Sequence, residues 1–233
     1  MHYSHLLFDM DNTLYPASSA MDKGITRRML ECVADFFNCD MQKAAQLREE
    51  RIIHYSTTLE WLRNEGMTDI EGFLAHVHPD DEADELMPQP GLREFLLTLD
   101  YPKSILTNAP HEHADRVLGK LGIADLFDAV TDIRDANFNG KPYPDAYKAA
   151  LDKAGTSIDN TLFLDDMQKY TDGWAALGGT AILIGTPNGK PLSDDARAMI
   201  EARKQNQGGK QGRTIRLKSI YELPAFLQKM EQE

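Results

Sequence analysis

The chain has 233 residues, of which 42% are hydrophobic and 27% are charged, proportions typical of a globular protein with a full core. Its formal net charge of -12 at pH 7 argues against a nucleic-acid polymer or an anionic membrane as the main partner. Cys32 and Cys39 are its only cysteines and lack the spacing of a zinc site or a disulfide framework. The sequence shows neither a basic and apolar leader nor a long apolar stretch. These features predict a cytoplasmic protein.

The first informative stretch is a short apolar run at residues 5–8 that ends at Asp9 and Asp11. Such a run predicts a buried strand of an α/β sheet, and ligands bind beyond the carboxyl ends of such strands. Two carboxylates placed there repel each other, and a hard divalent cation with oxygen ligands would compensate most directly. The alternative is a strand end whose aspartates only accept hydrogen bonds from the next turn.

Residues 17–88 have the hydrophobic spacing of helices throughout. Apolar residues recur at helical spacing over 21–37, and Asp40 is placed to cap a second helix. An acidic run at 80–85 and a proline-rich turn at 88–91 close the region. The sequence therefore predicts an all-helical cap at residues 17–88, inserted into a core domain made of residues 1–16 and 89–233.

Strands and helices alternate after the cap. Strands are predicted at 103–107, 127–131, 161–164 and 181–185. Helices are predicted at 92–99, 113–122 and 146–154, and a further helix follows Asp166 and ends at 177. This alternation predicts an α/β fold, a Rossmann-like and mainly parallel sheet with helices on both faces. A helix at 193–204, a loop at 208–212, an edge strand at 214–220 and a closing helix at 221–230 complete the expected order.

Four sets of polar residues follow predicted strands or turns in chain order. They are Asp9 with Asp11, Thr107 with Asn108, Lys141, and Asp165 with Asp166. Parallel strands deliver such residues to the same edge of a sheet. Together they supply what phosphoryl transfer needs, namely a nucleophile, an acid/base, phosphate ligands, a cation and metal carboxylates.

These residues resemble the four motifs of haloacid-dehalogenase-type phosphatases. The segments are DMDNT from residue 9, LTN from residue 106, KP from residue 141 and LDD from residue 164. The resemblance extends to about residue 185, and the helical insertion occupies the place of the C1 cap of that superfamily. Three longer segments resemble its pyrimidine 5'-nucleotidase branch: DMDNTLYP from residue 9, YSTTLEWL from residue 55 and TNAPHEHADRVLGKLG from residue 107.

The resemblance implies a role for each residue. Asp9 would attack phosphorus and form an aspartyl-phosphate, while Asp11 would protonate the leaving group and then activate water. The Thr107 hydroxyl and the Asn108 backbone N–H would hold phosphate oxygens, and Lys141 would neutralise negative charge.

The resemblance also implies Mg²⁺ as the cofactor. The ion would be held by the carboxylate of Asp9, the main-chain carbonyl of Asp11 and the carboxylate of Asp166, with Asp165 bound directly or through water. Asp9 must be ionised to attack, whereas Asp11 is expected to be able to carry a proton.

Three positions depart from the family pattern. Met167 stands where a small polar residue is usual, and Tyr170 where Asn or Asp is usual. Both departures predict altered support of the metal ligands. Ser56 stands where the nucleotidase branch tends to have Gly, which concerns the substrate more than the reaction.

The predicted function is Mg²⁺-dependent hydrolysis of a small phosphomonoester, with a pyrimidine nucleoside 5'-monophosphate as the leading candidate substrate. A sugar phosphate or phosphoglycolate is the alternative substrate. A regulatory relative that binds phosphate with little turnover is the alternative of another class. Asp11 argues against the dehalogenase branch, which lacks that acid/base.

Two further pairs of residues have competing interpretations. Tyr55 and Trp61 could stack on a base, but aromatic residues at helical spacing more often form the core of a cap. His111 and His113 could contact substrate, but packing at the start of a helix is the favoured interpretation.

Overall fold

A six-stranded sheet with flanking helices makes up the structure, a computed structural model that describes residues 3–16, 19–188, 197–198 and 212–232. The strands are β1 (His5–Phe8), β2 (Lys103–Leu106), β3 (Ala129–Thr131), β4 (Thr161–Met167), β5 (Thr180–Asn188) and β6 (Arg213–Leu217). The longer helices are α1 (Ala20–Phe37), α2 (Met41–Arg51), α3 (Thr58–Asn64), α4 (Ile70–Val77), α5 (Leu92–Leu97), α6 (His111–Leu121), α7 (Pro144–Ala154), α8 (Gln168–Ala176) and α9 (Leu223–Gln232). Within the described residues, no helix combines the length and apolarity needed to cross a membrane. Most of the predicted helix at 193–204 and loop at 208–212 lies outside the described residues.

The strands follow the order β3-β2-β1-β4-β5-β6, and each pair of neighbours is parallel. The predicted α/β fold with a parallel sheet is confirmed. Chain order runs outward from β1 on one side and outward from β4 on the other. The order therefore reverses between β1 and β4, and ligands of open α/β sheets bind at such a reversal.

Alternate residues of the central strands pack against helices on opposite faces of the sheet. Leu6 and Phe8 belong to one buried cluster, which includes apolar residues of α1, α5, α6 and α9. Leu7 belongs to a second cluster, with Phe163 of β4 and apolar residues of α7 and α8. Both faces of the sheet are thus covered, as predicted, which explains why the strands read as continuous apolar runs.

Helices α1 to α4 form the inserted region between β1 and α5, and no strand occurs there among the described residues. Asp40 caps α2 by accepting a hydrogen bond from the Lys43 N–H at 2.8 Å, in agreement with the sequence analysis. Trp61 stacks on Phe37, with 5.4 Å between the ring centroids, and so ties α3 to α1. The division into a cap of residues 17–88 and a core of residues 1–16 and 89–233 stays a prediction.

Two element boundaries that differ from the predicted ones lie next to the candidate site. Strand β4 continues past residue 164 because Met167 pairs with Asn188 of β5 after a shift in register. Helix α6 begins at His111 instead of residue 113. The Asp132 carboxylate accepts a hydrogen bond from the His111 N–H at 2.9 Å and so satisfies a donor of the first turn.

Candidate active site

The candidate site lies at the carboxyl ends of β1, β2 and β4, where the strand order reverses. Asp9 follows β1 directly, and its backbone N–H donates to the Leu164 carbonyl of β4 at 2.8 Å. Thr107 follows β2, and Asp165 and Asp166 lie near the end of β4. The topology thus brings three of the four sets of predicted residues to one edge of the sheet.

Lys141, the remaining predicted residue, reaches this edge from the loop before α7. Its side chain is 1% exposed, and Nζ lies 2.5 Å from Asp9 Oδ1 and 2.7 Å from Asp165 Oδ2. Burial lowers the pKa of Lys141, but the two carboxylates raise it by more, so the ammonium stays charged. Thr13 donates a hydrogen bond to Asp9 Oδ2 at 2.8 Å. Both carboxylate oxygens of Asp9 are therefore held.

Asp9, Asp165 and Asp166 are buried, and their carboxylate oxygens lie within 4.8 Å of one another. Burial raises the pKa of Asp9 and of Asp165, repulsion from Asp9 and Asp166 raises that of Asp165 further, and Lys141 opposes both shifts. Buried carboxylates at this spacing favour either proton uptake or a bound cation. Carboxylate oxygens are the donors that Mg²⁺ prefers, so these residues fit the predicted metal.

Thr107 and Asn108 were predicted as phosphate ligands and both lie at this edge. Thr107 Oγ1 accepts a hydrogen bond from the Ala109 N–H at 3.0 Å and lies 3.5 Å from Asp11 Oδ2. The side chain of Asn108 bonds to the backbone of Lys141. The resemblance implied a role only for the backbone N–H of Asn108, and this function of its side chain was not predicted from the sequence.

Asp11 accepts two hydrogen bonds through Oδ1, from the Tyr15 hydroxyl at 2.5 Å and from His113 Nε2 at 2.8 Å. Burial raises the pKa of Asp11, but the charged His113 lowers it by more, below its usual value. Burial lowers the pKa of His113, but Asp11 and Glu82 raise it by more, to about 9. The proton that the sequence analysis expected Asp11 to carry therefore lies on His113 in this arrangement.

The favoured interpretation of His113 was packing at the start of a helix. In the structure its ring also contacts two carboxylates. Its Nε2 faces Asp11, while its Nδ1 lies 2.7 Å from Glu82 Oε1. Glu82 is 3% exposed and also accepts a hydrogen bond from Arg116 at 2.8 Å. Sequence spacing could not reveal the pair, because Glu82 comes from the inserted region and His113 from α6.

A cavity of about 320 Å³ opens at this edge of the sheet, a volume that suits a small organic ligand. Of the predicted site residues, Asp9, Asp11, Thr107, Asn108, Lys141 and Asp166 line it. The facing wall comes from the inserted region and includes Ile25, Met29, Arg48, Thr58, Phe73 and Leu74. The cavity therefore lies between the sheet edge and the inserted helices.

Tyr55 and Trp61 do not line this cavity. Trp61 is 1% exposed, and Tyr55 packs against the main buried cluster, so the prediction that favoured core packing is confirmed. Tyr170, one of the departures from the family pattern, does line it. Its ring centroid lies 5.0 Å from Lys141 Nζ, and its hydroxyl accepts a hydrogen bond from Asn108 at 3.2 Å.

The haloacid dehalogenase-like hydrolase family matches residues 3–178 of the chain. The chain belongs to this family. The matched range begins before β1 and ends after α8. It therefore includes every candidate residue of the site of this haloacid dehalogenase (HAD)-like chain. Asp9, Lys141 and the aspartates of β4 therefore lie within the family region.

One curated relative is the Phosphate metabolism protein 8 of Saccharomyces cerevisiae, 29% identical over 192 residues. The match covers 73% of this HAD-like hydrolase but 58% of the yeast protein, so the chain spans a little over half the length of that relative. The L-2-haloacid dehalogenase of Xanthobacter autotrophicus has a similar structure, with TM-score 0.56, 19% identity and coverage of 98% of this chain and 99% of that one.

Two further structures have the same fold. The HAD-type protein YfnB of Bacillus subtilis bound to magnesium has TM-score 0.59 and 14% identity, and the match covers 98% of this chain and 100% of that one. A hydrolase from Pseudomonas syringae has TM-score 0.61 and 20% identity, with coverage of 97% and 99%. At these identities the likeness concerns the fold alone.

Proposed function

We propose that this HAD-like hydrolase is a Mg²⁺-dependent phosphatase that acts on small phosphomonoesters through an aspartyl-phosphate at Asp9. Pyrimidine nucleoside 5'-monophosphates are the proposed substrates. The observation that carries the proposal is the cavity lined by Asp9, Asp11, Thr107 and Lys141. It combines a nucleophile, a proton carrier, a hydroxyl donor and a fixed positive charge in a space of small-ligand size.

The first step transfers the phosphoryl group to the protein. A carboxylate oxygen of Asp9 attacks phosphorus, and the bond from phosphorus to the ester oxygen breaks. Lys141 keeps Asp9 ionised from 2.5 Å away and offsets the negative charge of the phosphoryl group. Asp11 gives a proton to the leaving oxygen. Asp11 takes up that proton from solvent when the substrate binds, because the charge of a phosphate beside Asp11 raises the pKa of this carboxyl.

The second step releases phosphate. Water attacks the phosphorus of the aspartyl-phosphate, the bond to Asp9 breaks, and the Asp9 carboxylate is regenerated. Asp11 accepts the proton of the attacking water and gives it up to solvent when phosphate leaves, so the carboxylate ends as it began. Asp9, the main-chain carbonyl of Asp11 and Asp166, with Asp165 directly or through water, would hold Mg²⁺, which would supply Lewis-acid chemistry to this site.

Phosphate esters are favoured over haloacids as substrates by Asp11. A displacement at carbon that releases halide needs no proton donor, whereas an alkoxide leaving group does. The yeast relative, named for phosphate metabolism, supports the same class. The preference for nucleotides over a sugar phosphate or phosphoglycolate is supported by the segments that resemble the nucleotidase branch. Met167 and Tyr170 are the residues that would favour a weakly active regulatory relative.

In this mechanism, residues 17–88 would act as a cap that closes over the cavity and excludes water during the reaction. A small-molecule partner follows from the size of the cavity. The cytoplasmic location and the absence of a nucleic-acid partner stay predictions.

Phosphate release tests the proposal directly. The purified chain is assayed with uridine and cytidine 5'-monophosphates, sugar phosphates, phosphoglycolate and 2-chloropropionate, with Mg²⁺ and then with EDTA. We expect Mg²⁺-dependent phosphate release that is fastest with the pyrimidine nucleotides. Asp9→Asn should lower it by about 10⁴-fold or more. Asp152→Asn, at an exposed carboxylate of α7, is the matched control and should leave it unchanged.

Each outcome of this assay has a distinct meaning. Faster release from a sugar phosphate or phosphoglycolate would replace the substrate and keep the reaction. Halide release from 2-chloropropionate without phosphate release would replace the reaction. Phosphate binding without turnover in any buffer would favour the regulatory alternative.

A further inference from the structure

We infer that His113, anchored by Glu82, is a positioning residue that holds the carboxylate of Asp11 in the orientation needed for proton transfer. The inference rests on the proposed phosphatase activity, because it assigns a role around the proton carrier of that reaction. It goes beyond that proposal, since neither His113 nor Glu82 is among the residues whose roles the resemblance implied.

The two carboxylate oxygens of Asp11 have different neighbours. Oδ1 accepts hydrogen bonds from Tyr15 at 2.5 Å and from His113 at 2.8 Å. Oδ2 lies on the other side, 3.5 Å from the hydroxyl of Thr107 at the phosphate end of the cavity. Because Oδ1 is engaged by two donors, Oδ2 is the oxygen that faces the place of the leaving group.

The imidazole of His113 is itself held on both sides. Its side chain is fully buried, and Nδ1 lies 2.7 Å from Glu82 Oε1 while Nε2 bonds to Asp11. A planar ring bonded at opposite nitrogens has no freedom to turn without breaking one of two charge-assisted hydrogen bonds. The position of Glu82 therefore fixes the orientation of the ring, and the ring fixes the orientation of the Asp11 carboxylate.

Glu82 is fixed by groups from several parts of the chain. It belongs to the short 3-10 helix Glu82–Glu85, which follows α4 at the end of the inserted region. Arg116 of α6 donates to Oε1 at 2.8 Å, and His78 Nδ1 lies 3.0 Å from Oε2. Arg28 of α1 lies 3.9 Å away. Glu82 thus links the inserted helices to the proton carrier of the site.

A metal ion is the alternative occupant, because His78, Glu82 and His113 place ligand atoms within 4.8 Å of one another. The charges around Glu82 oppose it. Arg116 and Arg28 already supply positive charge to this carboxylate. Both nitrogens of His113 also face carboxylate oxygens, so both donate protons and neither offers a lone pair to a metal. A hydrogen-bonded network accounts for these contacts of the cluster.

The experiment compares two substrates that differ in how much they need a proton donor. The leaving group of uridine 5'-monophosphate is an alkoxide, which needs a proton donor. The leaving group of 4-nitrophenyl phosphate is a stable phenolate, which needs little help. The measured quantity is kcat/KM with Mg²⁺, which reports the steps up to formation of the aspartyl-phosphate. His113→Asn removes the contact with Asp11, while His113→Gln places a donor near the position of Nε2.

We expect His113→Asn to lower kcat/KM for the nucleotide by about 100-fold and for the aryl phosphate by less than about tenfold. His113→Gln should recover at least about tenfold of the loss with the nucleotide, because it restores a donor to Asp11. His111→Asn is the matched control on the same helix, with a side chain that is 49% exposed. This variant should leave kcat/KM unchanged with both substrates.

Four results would overturn the inference. The first is an equal loss with both substrates in a His113→Asn protein that keeps its thermal unfolding transition, since that pattern indicates a merely structural role. The second is no loss at all, and the third is a stoichiometric zinc ion in the purified protein that His78→Asn removes. A protein without phosphate release from either substrate would overturn the proposed function and this inference with it. If His113→Asn does not fold, Glu82→Gln takes its place, since it weakens the anchor of His113. A larger loss of kcat/KM with the nucleotide than with the aryl phosphate is expected, and an equal loss or no loss would overturn the inference.

Discussion

Asn108 and Lys141 are joined by two hydrogen bonds that run in opposite directions. Asn108 Oδ1 accepts from the Lys141 N–H at 2.7 Å, and Asn108 Nδ2 donates to the Lys141 carbonyl at 3.0 Å. A side-chain amide that bonds both backbone groups of one residue leaves that residue little freedom. Asn108, two residues after the end of β2, therefore sets where the loop before α7 places the ammonium group of Lys141 beside Asp9.

A methyl group at Gly140 is expected to displace this pair. A Cβ there would lie 2.3 Å from Asn108 Oδ1 and 2.7 Å from Ile133 Cδ1, so Asn108 has to move. Gly140→Ala should lower kcat by about tenfold or more and the free energy of unfolding by about 1–3 kcal/mol, measured by phosphate release and urea denaturation. In the control Gly119→Ala, within α6, the Cβ would meet nothing within 4 Å. We expect it to keep activity and to gain up to about 1 kcal/mol, and an unchanged kcat in Gly140→Ala would contradict the prediction.

Removal of the Lys141 charge is expected to destabilise the fold. Its ammonium bonds to two buried carboxylates, on Asp9 and Asp165. Lys141→Met leaves both without this partner, so the free energy of unfolding should fall by about 3–5 kcal/mol in urea at neutral pH with EDTA. Adding Asp165→Asn should recover part of the loss because one charge is removed. Lys148→Met, at a side chain that is 60% exposed, should change stability by less than about 0.5 kcal/mol. Equal stability of Lys141→Met and the unaltered protein would show that the ion pairs contribute nothing.

The orientation of Asp9 is expected to depend on Thr13. The Thr13 hydroxyl donates to Asp9 Oδ2 at 2.8 Å, and the residue is buried. Thr13→Val keeps the shape and removes the donor, so kcat should fall by about 10- to 100-fold in the phosphate-release assay with a smaller change in KM. Thr13→Ser keeps the hydroxyl and should stay within about threefold of the unaltered enzyme. A serine variant as slow as the valine variant would assign the effect to packing instead.

The sequence predicted those parts of the site that depend on short-range patterns. An apolar run followed by Asp9 predicted a buried strand and a residue at its carboxyl end, and the parallel order of β1, β2 and β4 brings Thr107 and Asp166 to the same edge. The chain position of a strand end specifies where its next residue lies, because the hydrogen-bond ladder leaves no choice. Here local pattern was sufficient.

The remaining parts of the site depend on contacts between distant segments. The bond from His113 to Glu82 spans 31 residues, and that from His113 to Asp11 spans 102. No periodicity reports such a contact, and the sign of the Asp11 pKa shift follows from it. Nor could the residue type reveal that the Asn108 side chain bonds the loop of Lys141. These features require the packed structure.

Lys169 is expected to make the stability of the protein rise with pH. It is 8% exposed, lines the cavity and donates to the Ser56 carbonyl in the inserted region at 2.6 Å. Burial lowers its pKa from 10.5 to about 8. Between these values the unfolded chain binds more protons than the folded one, so the free energy of unfolding should gain about 2.5 kcal/mol from pH 7 to pH 10 through this group.

Two lysine-to-methionine variants, one at the buried Lys169 and one at the exposed Lys148, separate that contribution from those of other titrating groups. In urea denaturation between pH 7 and pH 10, the free energy of unfolding of Lys169→Met relative to the unaltered protein should fall by about 2.5 kcal/mol, because only the unaltered protein loses a buried charge. Lys148→Met, at an exposed lysine, should show a constant difference over the same range. A constant difference for Lys169→Met as well would mean that the ammonium stays charged. The bond to Ser56 would then hold the inserted region to the site across this whole pH range.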